Sequence, residues 1–362
     1  MRVPAARASA FICVGLLALL AGCNGRASPT AESAASASAV GIGAQFVFSS
    51  TRTGGGDLYL ADATSGALVR LTTDPAFEGV PSWSPDGSRV AYVRFAEDGS
   101  SEIHVLNADG TGDRIVVGRE SGQNILPTWS PDGRQIAFAS APRDDSAIWV
   151  VGSDGLNPRR LTPDSIRAND PVWSPDGSLI AYTAGDPAPS LHVMSPDGSS
   201  VRRLTSPDAT LLINWGSLWS PDGSRLAFVG RDAGGSGQVQ VVNRDGGDVL
   251  NLTEGTDDKG APAWSPDGTE LAFWSDRDGA GEIYAIPSTG GSWRRLTTGS
   301  GLSGVVVALL WSPDGRKIAV WTPLEFGDIY VLDAAGGRLV NLTNDPGDPG
   351  QDNGQVAWRP AH

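Results

Sequence analysis

The chain holds few residues of the types that do covalent or metal chemistry. Its 362 residues include three histidines, His104, His192 and His362, and two cysteines, Cys13 and Cys23. Beyond Cys23, neither a disulfide nor a thiolate metal site can form. His104 and His192 lie in the similar segments Ile103-His104-Val105 and Leu191-His192-Val193, and two further segments carry Tyr284 and Tyr330 at the same place. That substitution pattern predicts a packing position rather than a ligand. No Gly-x-Ser-x-Gly elbow, Walker loop or His-Glu-x-x-His pair is present. Asp276-Arg277-Asp278-Gly279 and Asn243-Arg244-Asp245-Gly246 resemble fragments of calcium loops. They fall short of the oxygen set that calcium needs, and Asp-Gly suits a tight hairpin equally well. The sequence predicts no catalytic residue and no resident cofactor, with calcium as the one ion it leaves open. Polar side chains do recur at a fixed place: Glu78, Asn124, Asn214, Lys259 and Asn353 each stand five residues before a tryptophan, and Asp170 lies at a nearby offset.

Those tryptophans mark the elements that would position such groups. Trp-Ser-Pro-Asp-Gly begins at Trp83, Trp129, Trp173, Trp219, Trp264 and Trp311, and Trp358-Arg359-Pro360 is a degenerate seventh copy. Successive copies are 44 to 47 residues apart. A period near 45 is that of a β-propeller built from four-stranded blades. Each period carries short β-branched and aromatic runs between turns, such as Ile136-Ala137-Phe138 and Ile148-Trp149-Val150, and a last run that usually ends in Leu-Thr. Within the pentapeptide, Pro suits the first central position of a turn and Gly supplies its positive φ, while the Trp is expected to fill the wedge between blades.

The ends set the blade count. Before Trp83 the chain holds three strand-like runs without a Trp strand, and Val356-Ala357-Trp358 is a Trp strand without followers. Joined, they make one blade of an all-β, seven-bladed propeller of four-stranded antiparallel sheets over 44–360, which removes the free edges. In such a ring the loop leading into each Trp strand reaches the mouth of the central channel. Glu78, Asn124, Asp170, Asn214, Lys259 and Asn353 are therefore the candidate binding residues, with Trp215 as an off-register aromatic in the same kind of loop.

Composition agrees. The 47 Gly and 25 Pro exclude long helical bundles, and the formal charge of −14 argues against a nucleic-acid partner. At the other end of the chain, Arg2 and Arg7 precede an apolar run from Ala8 to Leu20 that closes in Leu20-Ala21-Gly22-Cys23. The pattern resembles a bacterial lipoprotein signal. It implies a leader over 1–22, lipidation of Cys23, and an Ala/Ser-rich tether over 23–43 too poor in apolar residues to pack. Asn24 after the cysteine points toward the outer membrane, at its periplasmic face or the cell surface.

The pentapeptide copies, with Ser275-Asp276-Arg277-Asp278-Gly279 leading to Glu282-Ile283-Tyr284, resemble the TolB-type propeller repeat, a relative of WD repeats. The likeness spans about 45–358. It implies a monomeric, non-catalytic envelope scaffold that binds a protein or peptide ligand and touches the membrane through its lipid alone. TolB itself has a six-bladed propeller and an N-terminal α/β domain, for which this chain has only the tether. A different class remains open, a glycan lyase or hydrolase using channel-mouth carboxylates such as Glu78 and Asp170.

Overall fold

The computed structural model describes residues 44–141, 146–185, 189–206, 211–212, 218–232, 234–300, 302, 306, 308–322, 327–343 and 353–360. Leader, tether, Cys23 and His362 lie outside them.

Seven four-stranded antiparallel sheets follow one another. Blade 1 takes its innermost strand, Asn353–Trp358, from the end of the chain and pairs it with Gln45–Ser50, followed by Asp57–Asp62 and Leu68–Arg70. The register sets Phe46 opposite Trp358 and Val47 opposite Ala357. The other six blades are continuous. Blade 2, for example, runs Phe77–Trp83, Arg89–Phe95, Ser101–Asn107 and Arg114–Val117. Blade 5 differs from the expected uniform repeat: Leu211–Leu212 pairs as a strand, whereas Trp219 makes only an isolated bridge to Leu226.

The repeated residues earn their places locally. In the turn after the Trp of each of the six full pentapeptides, the serine hydroxyl donates to the aspartate two residues on, at 2.6 Å in Ser84–Asp86 and in Ser220–Asp222. The same hydroxyl oxygen accepts the amide five residues on, as from Arg89 at 2.9 Å. Gly87, at φ 59°, donates back to the Ser84 carbonyl at 2.8 Å. The Leu-Thr ends have a parallel use. The Thr72, Thr162, Thr205, Thr253, Thr297 and Thr343 hydroxyls each accept a strand amide fourteen residues earlier, at 2.9–3.0 Å.

Packing is a ring of wedges rather than one central core. Ile103 and Val105 of blade 2 meet Trp129, Ile136 and Phe138 of blade 3, and Ile329 and Val331 of blade 7 meet Phe46, Phe48 and Trp358 of blade 1. Tryptophan also fastens neighbouring blades through its N–H. The indoles of Trp83, Trp129, Trp219, Trp264, Trp311 and Trp358 each donate to the carbonyl just before the preceding blade's Trp, at 2.9–3.4 Å. Trp173 breaks the series, its buried indole nitrogen having no partner.

The turn aspartates give the fold a definite acid response. The hydroxyl of Ser84 foremost holds the Asp86 carboxyl down to about 2, and that of Ser220 holds Asp222 down to about 2. Carboxylates depressed by folding stabilise the native state fully above their unfolded pKa, about 4, and lose that contribution as pH falls toward the folded value. The melting temperature should therefore drop between about pH 4 and pH 2. The Asp86→Asn, Asp222→Asn double variant should show a shallower drop in that window, measured by circular dichroism. An unchanged slope would refute the assignment.

Candidate functional site

The innermost strands are not regular. The ladder slips between Gly79 and Ser82, Ile125 and Thr128, Asn169 and Val172, and Gly260 and Ala263. Each slip is a β-bulge whose first residue has a left-handed backbone: Val80 at φ 56°, Leu126 at 59°, Asp170 at 56° and Ala261 at 52°. Such a conformation costs a non-glycine residue about 1–3 kcal/mol and is sharply disfavoured for β-branched Val80. A proline, which has no N–H to offer the ladder, follows each of them: Pro81, Pro127, Pro171 and Pro262. Blade 1 slips at the equivalent place, on the strand that carries Gln355.

The position three residues before the Trp reaches the centre, with a bulge at it in blades 1 to 4 and without one at Ala308 in blade 7. Val80, Leu126, Asp170, Ala308 and Gln355 hold it in five blades and line a central cavity of about 300 Å³. Pro81, Pro127 and Pro171 continue an apolar wall. Asp170 is the one ionisable side chain among the described residues on this lining. It is half-buried, and its Oδ2 accepts from the Thr183 hydroxyl at 2.8 Å. Burial pushes its carboxyl up, against the pull of that bond. The Gln355 amide oxygen is buried and has no hydrogen-bond partner.

The residues five before the Trp are placed otherwise. Glu78 and Asn124 are 0% exposed, Asn353 1% and Lys259 2%. None lines the cavity, and all four are buried rather than open to solvent. They tie strands and loops together. Asn124 donates from Nδ2 to the carbonyls of Ser101 and Gly118 at 2.9 and 3.2 Å. Lys259 donates from Nζ to the carbonyls of Asp257 and Glu254 at 2.8 and 3.1 Å and faces the Asp257 carboxylate at 3.2 Å. Asn353 accepts from Arg52 at 3.4 Å. Glu78 accepts twice on Oε1 from Arg94, at 2.8 and 3.0 Å, while burial pushes its carboxyl up. Asn214 and Trp215 lie outside the described residues.

Two histidines remain, and both pack where expected. His104 lies 5.3 Å from the Tyr92 ring and His192 5.4 Å from Tyr182, as Tyr284 lies 5.8 Å from Phe273. His104 is further held between Glu102, at 3.3 Å, and Asp113, at 3.1 Å. The carboxylates of the calcium-like segments are engaged by protein donors. Asp278 accepts from Tyr284 and Arg295, and Asp245 from Arg202. Glu78 and Asp170, the pair that glycan chemistry would use, are separated in role: one is sealed beneath Arg94, the other faces the cavity.

Comparison with known proteins gives the fold a family. The PD40 family, TolB beta propeller domain, matches residues 79–217 and 211–303. A Protein TolB homolog of Chlorobaculum tepidum is 29% identical over 121 residues, 33% of this chain and 27% of that protein. This chain thus aligns with about a quarter of that relative's length. TolB from Acinetobacter baumannii superposes with a TM-score of 0.52 at 21% identity, over 81% of this chain and 73% of that one. An oligogalacturonate lyase in complex with manganese superposes at 0.64 and 16% identity, over 80% and 86%. A puromycin hydrolase superposes at 0.65 and 17%, over 89% and 55%. Structural likeness at such identities establishes the fold alone. The family match covers more than half of the sequence, and the chain belongs to the TolB beta propeller domain family.

Proposed function

We propose that the chain is a non-catalytic scaffold of the cell envelope that binds a protein or peptide ligand on the propeller axis. One observation carries this reading. Four non-glycine residues hold a strained left-handed backbone at the bulges, and two of the side chains it re-aims, Leu126 and Val80, wall a preformed apolar cavity beside Asp170. Strain of this kind persists where the surrounding structure over-determines it, and it clusters at ligand sites. Mostly apolar walls with a few placed polar groups are what a binding cavity presents.

The anchor belongs to the same reading. Lipidated Cys23 and the tether over 23–43 would hold the propeller beside a membrane, free to reach a partner in the envelope. Glycan chemistry has less to support it, because Glu78 is committed to Arg94 and does not share the cavity with Asp170.

In-cell crosslinking followed by mass spectrometry tests both parts, on the natural chain and on Cys23→Ser and Leu126→Asp variants. The natural chain should fractionate with membranes and yield one dominant protein partner. Cys23→Ser should leave the membrane fraction, and Leu126→Asp should lose the partner. Glycan turnover that stops in an Asp170→Asn variant, with no protein crosslinked, would replace the scaffold reading with the enzymatic one.

A further inference from the structure

Asp170 differs from three glutamates drawn into the sheets beside an arginine. Glu78 meets Arg94 at 2.8 Å, Glu102 meets Arg119 at 3.1 Å and Glu282 meets Arg295 at 2.7 Å. Among the described residues no basic side chain meets Asp170, and its one hydrogen bond is from Thr183. A carboxylate drawn partly out of water without a cation is disfavoured, and an opposite charge beside it relieves the cost. Here the space beside it is an open cavity rather than an arginine.

We propose that a lysine side chain from a partner protein fills this cavity, its ammonium on the Asp170 carboxylate and its methylene stem along the apolar wall. The inference rests on the scaffold reading and names the group that reading leaves unspecified. Gln355 stands on the same lining, and its buried, unpartnered amide oxygen would become a second acceptor by turning toward the cavity. Val80, Leu126 and Ala308 offer nothing polar beyond their backbone, which suits four methylenes.

Geometry discriminates between cations. An arginine presents its five N–H donors in a rigid plane, whereas a compact ammonium on a flexible stem can turn its three donors to the Asp170 carboxylate from any approach. A peptide N-terminus carries its first amide groups close beside the ammonium and would press them against apolar walls. Lysine alone separates a compact charge from its backbone by a flexible apolar stem. Burial raises the Asp170 carboxyl, and an arriving ammonium favours the ionised form.

The test uses the whole chain with pentapeptides blocked at both ends, acetyl-Gly-Gly-Lys-Gly-Gly-amide and its norleucine and arginine counterparts. A fourth peptide has norleucine and a free N-terminus. Binding is followed by calorimetry and by the fluorescence of Trp83, Trp321 and Trp358 on the cavity wall. The lysine peptide should bind about thirtyfold or more tightly than the norleucine peptide. Asp170→Asn, its fold verified by circular dichroism, should abolish that difference. Equal binding of lysine and norleucine peptides overturns the proposal without recourse to any variant. So does preference for arginine or for the free N-terminus, or a lysine preference that survives in Asp170→Asn. A crosslinked partner that persists in Asp170→Asn cells would remove the lysine inference and leave the scaffold standing. Absence of any partner would remove the scaffold itself.

Discussion

Removing residues 353–362 is expected to unfold blade 1 and take the cooperativity of the whole ring with it. The strand Asn353–Trp358 is the inner neighbour of Gln45–Ser50. Its loss uncovers Phe46 and Phe48, both fully buried, and breaks the Phe46–Trp358 ring contact at 5.3 Å. Two inter-blade bonds go as well, from Trp358 to the Leu310 carbonyl at 2.9 Å and from Trp83 to the Ala357 carbonyl at 3.0 Å. Arg359 adds a third link, donating to the Gly87 carbonyl at 3.0 Å and lying 5.2 Å over the Trp83 ring. The Trp358→Ala change alone should cost about 3–5 kcal/mol. The truncation should cost more, because it also leaves a bare strand edge open to pairing with another molecule. Urea unfolding should show a lower midpoint for Trp358→Ala. For the truncated chain it should show a broad transition, with larger species in size-exclusion chromatography. A truncated chain that melts with unchanged midpoint and slope would mean that the ring does not depend on this closure.

That closure was readable from sequence because the signals it needs are local. Ser84, Pro85, Asp86 and Gly87 build their turn from contacts within five residues, and the turn recurs wherever those residues do. Six full copies and one degenerate copy, with unmatched pieces at the two ends, specify the shared blade. The cavity was less readable. Val80, Leu126 and Ala261 are poor choices for a left-handed backbone, so propensity points away from the bulge that the ring imposes. A signal is nevertheless present in Pro81, Pro127, Pro171 and Pro262, since proline inside a strand marks a sheet edge or a bulge, and these strands are both. Polarity misled at the position two residues earlier. Glu78, Asn124, Lys259 and Asn353 look solvated in sequence, and they are buried because their partners come from other strands and loops. Arg94 and Ser101, which bond Glu78 and Asn124, are 16 and 23 residues away. No short spacing encodes those pairings.

The Glu78–Arg94 pair sets the second large effect. Glu78 is fully buried, and both hydrogen bonds to its Oε1 come from one guanidinium. Arg94 also donates to the Tyr92 hydroxyl at 3.0 Å and to Asp113 at 3.2 Å, so it joins two carboxylates and a phenol in one network. Arg94→Ala leaves Glu78 without its cation in the interior, which should cost about 3–5 kcal/mol at pH 7. The loss has a definite sign with pH. Burial already raises the Glu78 carboxyl, and removing Arg94 raises it further. A carboxyl raised in the folded state favours folding least when ionised, so the penalty grows as pH climbs from the unfolded value, about 4, through the folded one. Denaturant titrations of Arg94→Ala at pH 7 and near pH 5 should therefore show the smaller loss at the lower pH. Arg94→Ala combined with Glu78→Gln should regain much of the stability at pH 7, because a neutral amide needs no counter-ion in the interior. If the double variant is as unstable as Arg94→Ala and the loss is the same at both pH values, the effect comes from lost packing around the Arg94 stem. The buried charge of Glu78 would then contribute little to the stability of the blade.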